Sequence, residues 1–331
     1  MSGHIPVMLD EVIAALEPRA NEVYLDATYG GGGYSRAILS AAPCQVIGMD
    51  RDPDALKRAR AHAREEPRLL PLEGRFGDLD TAVKAVGFDR LDGVILDLGV
   101  SSYQLDEAMR GLSFQRQGPL DMRMEASGPS AADIVNTAAE KDLANIFYHL
   151  GEEKASRRIA RAIVERRVDQ PFTQTLDLAA LIERVTGPRR GAKRHPATRT
   201  FQALRLYIND ELGELGRALS AAERILKAGG RLIIVSFHSL EDRIVKRFLA
   251  ERSARNTGGS RHAPAREAGP EPSFELIQRK AVAVSHAETQ DNRRARSSRL
   301  RAAIRTEAPS WNAPAWTGVR LPDLILSGAA L

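Results

Sequence analysis

Cysteine is almost missing from these 331 residues, and Cys44 stands alone. One cysteine closes no internal disulfide and supplies no zinc-binding pair, which fits a reducing compartment. At the edge of a predicted strand it reads as a small hydrophobe rather than a nucleophile. The seven histidines are scattered, so no metal signature forms and no metal is expected. Long apolar runs are also missing: stretches such as Leu232 to Val235 are far too short to span a bilayer, and no membrane partner is expected. Met1-Ser2-Gly3-His4 lacks the basic and apolar regions of a signal peptide, so a cytoplasmic protein is expected. No internal repeat is visible. The remainder, 43% hydrophobic and 27% charged, is the composition of a globular protein. Its length exceeds one typical domain, so two domains or a core with a large insertion are expected.

Against this plain background one stretch stands out. The apolar run Val23 to Leu25 leads through Asp26 into Gly30-Gly31-Gly32-Gly33, then a helical pattern, then a second strand from Gln45 to Met49 that ends in Asp50. Asp50 follows Gly30 by about 20 residues, the spacing at which a Rossmann-like fold puts a carboxylate on ribose hydroxyls. Glycines suit a turn that needs positive φ and a backbone that a ligand approaches closely. The bland alternative is a glycine-rich turn without a ligand; the strand, the helix and the spaced acid together argue against it.

Charge selects the cofactor. Neither frame of G-x-G-x-x-G closes, because Gly30 and Gly32 lead to Ser35, and Gly31 and Gly33 to Arg36. Asp26 precedes the loop, and Asp97 ends a further strand, Val94-Ile95-Leu96. Three carboxylates at strand ends would repel a pyrophosphate. They suit S-adenosylmethionine, whose ammonium and sulfonium are cationic and whose ribose offers two hydroxyls.

Strands and helices alternate from residue 20 to about 100, the sign of a helix-wrapped parallel sheet. Strands are expected at Leu69 to Leu72 and Leu91 to Leu98. From 105 to 215 the periodicity is helical only, in Asp142 to Leu150, Glu152 to Arg167, Leu176 to Val185 and Thr198 to Leu215. A strand returns at Arg231 to Ser236, followed by a helix with a capping box at Ser239-Leu240-Glu241-Asp242. Residues 253 to 273 read as a loop, and Phe274 to Val284 as closing antiparallel strands. The expected fold is therefore an α/β class I Rossmann-like core, mostly parallel, with an inserted all-helical subdomain. Residues 1–104 and 216–305 would form the S-adenosylmethionine-binding catalytic core and 105–215 the helical insertion for the substrate. The tail 306–331 carries both tryptophans and no assigned role.

Candidate substrate residues gather on loops and strand ends: His4, Ser101, Ser102, His238 and Ser239. For His238 the bland reading is a satisfied histidine near a helix N-terminus. Carbon-5 methylation of a pyrimidine needs an attacking thiolate, which Cys44 is not placed to supply. Methyl transfer to an exocyclic nitrogen needs only acceptors that align the amine and a route for its proton, and an Asp with nearby carbonyls suffices. Net charge is only +5, but arginines cluster. Arg157, Arg158, Arg161, Arg166 and Arg167 share a helical pattern; Arg189, Arg190, Lys193 and Arg194 form a loop group. Arg293, Arg294, Arg296, Arg299, Arg301 and Arg305 crowd the C-terminal region. Any one cluster could be a solvated face; three of them favour nucleic acid as the partner.

Long motifs add a resemblance. His4-Ile5-Pro6-Val7-Met8-Leu9-Asp10-Glu11, the glycine loop, Asp50-Arg51-Asp52-Pro53 and Asp97 to Ser102 resemble the RsmH (MraW) family. So do Gly118 to Met124, His195 to Arg205 and Ser236 to Arg243, and the resemblance spans about residues 4 to 305. It implies a methyltransferase acting on N4 of a cytidine in the decoding region of 16S ribosomal RNA, with the small ribosomal subunit RNA as partner. By position it implies cofactor contacts at Gly32, Gly33, Tyr34, Asp50, Phe76, Asp97 and Gln104, with Asp97 at the reacting centre; Arg293, Arg294 and Arg296 are expected near RNA from their charge alone. Tyr34 stands where that family usually has His, Tyr103 where it has Pro, Gln117 where it has Asp and Arg294 where it has Pro. Rival readings are a DNA amino-methyltransferase, whose Pro-Pro-aromatic motif Asp97-Leu98-Gly99-Val100 does not match, and an idle ribosome-assembly factor. The oligomeric state stays open.

Overall fold

The computed structural model describes residues 6–125, 127–187, 195–254 and 270–313, without the side chains of Arg293 and Arg294. His4, the basic loop group at 189–194, most of the 253–273 loop and Trp316 lie outside the described residues. The described residues up to Gly99 and from Leu212 pack as one unit, and Val100–Glu211 pack as another.

The first unit is built on a sheet of eight strands: β1 (Val23–Asp26), β2 (Gln45–Asp50), β3 (Leu69–Glu73), β4 (Leu91–Asp97), β5 (Leu226–Ser236), β6 (Phe274–Leu276), β7 (Val282–Ala283) and β8 (Arg299–Arg305). Their order is β3-β2-β1-β4-β5-β8-β6, with β7 also on β8. Strands β1 to β5 pair in parallel, and β8 runs antiparallel to β5, β6 and β7. Val94, Ile95 and Leu96 are fully buried, as a central strand covered on both faces requires. β1 has β2 on one side and β4 on the other, so the winding reverses there. The crevice beyond the carboxyl ends of strands at such a reversal is where ligands sit in open α/β sheets.

Local chemistry sets the elements around that crevice. The helix Pro53–Glu65 starts on a proline, with the Asp52 side chain accepting the Asp54 N–H at 3.0 Å. Ahead of β1, the helix Leu9–Leu16 buries Val12 and Leu16 against the sheet-side core.

Four expectations need correction, three of them in the stretch from Thr198 onward. The strand β8 lies in a stretch read only as basic, yet Leu300 and Ala302 are buried between the arginines and Arg305 itself is buried. The single helix expected from Thr198 to Leu215 is two, Thr198–Ile208 and Glu211–Ile225. The break falls at Asn209, whose N–H still donates to the Arg205 carbonyl at 3.1 Å while its side chain serves a neighbouring segment: its Nδ2 donates to the Met122 carbonyl at 2.9 Å and its Oδ1 accepts the Met124 N–H at 2.8 Å. Asp210 follows with a left-handed φ of 46°. The capping box after β5 starts one residue earlier than expected. His238 is the N-cap of the helix Ser239–Ser253, its ring accepting from the Glu241 N–H, while the Glu241 carboxylate accepts from the backbone N–H groups of Phe237 and His238.

The second unit is helical: Glu140–Gly151, Ser156–Arg167, Thr175–Thr186 and Thr198–Ile208 bury Phe147, Ile159, Ile163, Leu178, Ile182 and Leu204 against one another. Glu152–Arg167 was expected as one helix, but the chain turns first: Glu152 is left-handed at φ 49°, and the buried Glu153 accepts the Ala155 N–H at 2.9 Å.

Candidate active site

Three carboxylates end three neighbouring strands: Asp26 on β1, Asp50 on β2 and Asp97 on β4. Each is held differently. Asp50 is spent partly on its own loop, its Oδ2 accepting the Gly30 N–H at 2.8 Å and its Oδ1 the Asp52 N–H at 2.9 Å. These bonds fix the carboxylate at the mouth of the glycine loop and leave its remaining lone pairs for hydroxyl donors. Asp26 is fully buried; the Ser35 hydroxyl donates to its Oδ2 at 2.7 Å, and its Oδ1 has no hydrogen bond. Asp97 anchors its backbone N–H on the Thr28 hydroxyl at 2.7 Å, and its Oδ1 is likewise buried without a partner.

Burial dominates their electrostatics. Desolvation pushes the Asp26 carboxyl up to about 6, and the nearby Asp50 charge adds to the effect. Asp97 is raised well above the carboxylate range by burial first, then by the negative charges of Asp26 and Glu241. Burial also raises Asp50. Among the described residues no cationic side chain forms an ion pair with Asp26 or Asp97. Buried acids clustered without a cation are costly unless a ligand supplies the positive charge.

The glycine loop is braced by its own protein. Arg58 donates to the Gly30 carbonyl at 3.1 Å and Arg36 to the Gly31 carbonyl at 2.8 Å. Gly32, at φ 70°, is the N-cap of the helix Gly33–Ala41, and a Cβ there would lie 2.4 Å from the Tyr29 ring. A Cβ on Gly33 would come within 2.1 Å of Pro6 Cγ. The second and third reasons for glycine here are thus internal packing, beyond ligand approach. Tyr34 points its ring inward, where its hydroxyl donates to the Val7 carbonyl. That leaves the backbone of the first helical turn, rather than this side chain, to face a ligand.

Phe76 is half-buried in the short turn Phe76–Asp78, three residues past Glu73, the residue paired in register with Asp50. The Gly77 N–H behind it donates to the buried Glu214 at 2.7 Å. His238 sits just past β5, beside β4; its Nε2 lies 3.0 Å from Glu241 Oε1 but out of line for a hydrogen bond, and it has no other partner. Only its Nδ1 is engaged, in the N-cap; the Nε2 is buried without a hydrogen bond. Ser239 is exposed on the first turn of the same helix, and Arg296 is exposed in the short helix Arg293–Ser297. Asp26 enters the sequence reading only as one of three strand-end acids, with no role of its own, and Glu241 does not enter it as a site residue. Asp26 was legible as an acid directly before the glycines, whereas only the capping-box spacing marked Glu241.

Ser101, Ser102 and Gln104 belong to the other unit. Ser101 and Gln104 cap the short helix Ser102–Asp106 reciprocally: Ser101 N–H donates to Gln104 Oε1 at 2.9 Å, and Gln104 N–H to Ser101 Oγ at 3.2 Å. Gln104 is buried and Ser101 and Ser102 are half-buried.

The residues present fit S-adenosylmethionine. The unpaired, buried oxygens of Asp26 and Asp97 need a cation, Asp50 stands where a ribose diol would be received, and the helix start at Gly33 offers backbone N–H groups. Among the described residues no group of His, Cys, Asp and Glu could hold a metal ion, and no helix is long and apolar enough to cross a membrane.

Comparison with known proteins agrees. A model of the MraW methylase family matches residues 1–306. The ribosomal RNA small subunit methyltransferase H of Hyphomonas neptunium is 60% identical over 97% of this chain and 94% of its own. Its namesake in Rhodospirillum rubrum is 56% identical, covering 94% of this chain and 97% of its own. The one in Caulobacter vibrioides is also 56% identical, over 94% and 98%. With the motifs, the strand order and these matches in agreement, the chain belongs to the MraW methylase family.

Proposed function

We propose that this chain methylates N4 of a cytidine in the decoding region of 16S ribosomal RNA, with S-adenosylmethionine as cofactor, in the cytoplasm. The observation that carries the reading is the pair of buried carboxylates, Asp26 and Asp97, whose Oδ1 atoms are unpartnered at the winding reversal of the sheet. The cofactor supplies an electrophilic methyl group on a sulfonium. Asp50 receives the ribose hydroxyls, and Phe76 flanks the base attached to that ribose. Asp26, held by Ser35, would balance the cationic charge of the bound cofactor. Asp97, ionised beside the bound cation, would accept the N–H of the target amine and take its proton as the methyl passes from sulfur to nitrogen, the sulfonium leaving as a neutral thioether. The burial that raises its pKa makes its anion the stronger base. The helical unit Val100–Glu211 presents the RNA and helps hold the base out of its stack.

The test is incubation with methyl-labelled cofactor and small ribosomal subunits, followed by nuclease digestion and mass spectrometry of the nucleosides. N4-methylcytidine in the RNA is the expected product. Cofactor binding without any methylated nucleoside would turn the reading into that of an assembly factor, and label in DNA alone would make the chain a DNA amino-methyltransferase.

A further inference from the structure

The five arginines of the helix Ser156–Arg167 are not equivalent. Arg166 donates to the Asp177 carbonyl at 3.1 Å, with its guanidinium 4.4 Å from the Phe172 ring centroid. Arg167 donates to the carbonyls of Val135 and Ala138 at 2.9 and 2.7 Å. Both therefore serve packing within the helical unit. Arg157, Arg158 and Arg161 are exposed, and with Ala162, Glu165 and Val185 they line an open cleft of about 340 Å³.

Their placement runs against what an isolated helix favours. Arg157 and Arg158 occupy the first turn, which carries no acidic residue and where the macrodipole disfavours cations. Arg157 and Arg161 are four residues apart, so like charges share one face. Arg158 is tethered by one nitrogen to the Val185 carbonyl, which holds its guanidinium at the cleft wall. Compensation is thin: Arg161 lies 3.9 Å from Glu140, and among the described residues Arg157 has no hydrogen bond or ion pair. Glu165, on the rim, has no hydrogen bond or ion pair among the described residues either. Three guanidinium groups around a concave, solvent-open space are a receptor for an oxyanion with several acceptor oxygens, and planar donor forks match phosphate.

We infer that this cleft docks the phosphodiester backbone of RNA, an inference that rests on the proposed reading of the chain as an RNA methyltransferase. The contact positions RNA and reads no base, since every polar group that lines it other than Glu165 is a guanidinium or the Val185 backbone.

The experiment uses the full chain and purified small ribosomal subunits. Arg157→Gln with Arg161→Gln is compared with the wild type by salt titration of binding, leaving the tethered Arg158 in place. A charge-matched control, Arg19→Gln with Arg60→Gln, neutralises two exposed arginines of the other unit. The cleft variant is expected to flatten the slope of log affinity against log salt by about 1.5 to 2, as two lost phosphate contacts require. It should keep wild-type affinity for S-adenosylmethionine, and the control should keep the wild-type slope. Superimposable slopes for cleft variant and wild type, or an equal change in the control, would overturn the inference. A parallel series titrates each protein with inorganic phosphate at constant ionic strength. If the variant loses affinity for inorganic phosphate while its subunit-binding slope stays that of the wild type, the cleft takes small free oxyanions and RNA docking there is refuted. Methylation of subunits is scored separately, so a flattened slope with no methylated cytidine would sustain the docking site and reject the proposed reaction.

Discussion

Asp26 and Asp97 illustrate how a single side chain can be costly to the fold and useful to a ligand. The Asp26 carboxyl is raised to about 6 in the folded chain from an ordinary value near 3.8. The stability it contributes is therefore full below about pH 4 and is lost as pH rises through about 6, where the buried group must ionise. A bound cation reverses that cost, because it favours the ionised form. Affinity for S-adenosylmethionine should thus rise from pH 5 to pH 7, and binding at pH 5 should release protons. Calorimetry in two buffers of different ionisation enthalpy measures both; a flat affinity with no proton release would show that these acids do not face the cation. Asp97→Asn separates the roles further. Burial already favours the uncharged carboxyl in the unliganded fold, and the amide is neutral and of similar size, so Tm should hold. Without a proton acceptor, single-turnover methylation of subunits should fall roughly 100-fold or more. A variant with full turnover would remove Asp97 from the chemistry.

At the scale of elements, the glycine loop and the two helix starts beside it are set by contacts far apart in sequence. Glycines at 32 and 33 were legible as a ligand turn, but their clash partners Tyr29 and Pro6 were not, since only the folded chain brings Pro6 over the helix start. Gly33→Ala drives a methyl group against Pro6 Cγ. It should cost about 1–3 kcal/mol of stability, as overpacking does, and weaken cofactor binding because the helix start must shift. Pro6→Ala removes the Cγ, so the double variant Gly33→Ala, Pro6→Ala should recover most of the loss. Chemical denaturation of the four proteins gives the coupling; strict additivity would mean that the two residues do not meet. The helix after β5 shows the same limit. Ser, Glu and Asp at its start gave the right element, yet its cap is His238, a residue type rarely read as one. The choice depended on the carboxylate of Glu241 folding back on two backbone N–H groups.

Over the whole molecule, the parallel half of the sheet was readable because β1 to β4 are short apolar runs separated by local helices. The closing half was obscured by long-range partners. β8 reads as a run of arginines until its neighbours are known. Arg301 pairs with Asp242 at 2.7 Å, and Arg305 is buried, donating to the carbonyls of Glu223 at 2.8 Å and Ser273 at 3.1 Å. Those two arginines stabilise the first unit, and of the C-terminal group only Arg296 and Arg299 are described as exposed. Around them a buried polar knot ties distant segments together. Glu223 and Arg252 are both 1% exposed and lie 3.6 Å apart, the Ser273 hydroxyl donates to Glu223 at 2.6 Å, and the Trp311 N–H does so at 3.1 Å. The Arg252 guanidinium also lies 4.6 Å from the Trp311 ring centroid and donates to the Ala313 carbonyl at 2.6 Å. The first part of the tail, through Ala313, is thereby pinned to the core. Arg252→Ala strands the Glu223 charge in that interior. Removing one partner of a buried pair costs about 3–5 kcal/mol, so Tm should drop by roughly 6 °C or more in a unit of this size. Arg252→Met with Glu223→Gln, which removes both charges and keeps much of the volume, should recover a large part of that drop. Thermal melts of the three proteins decide it: a small loss for Arg252→Ala, or a double variant no better than the single, would show that the pair does not hold the tail to the sheet.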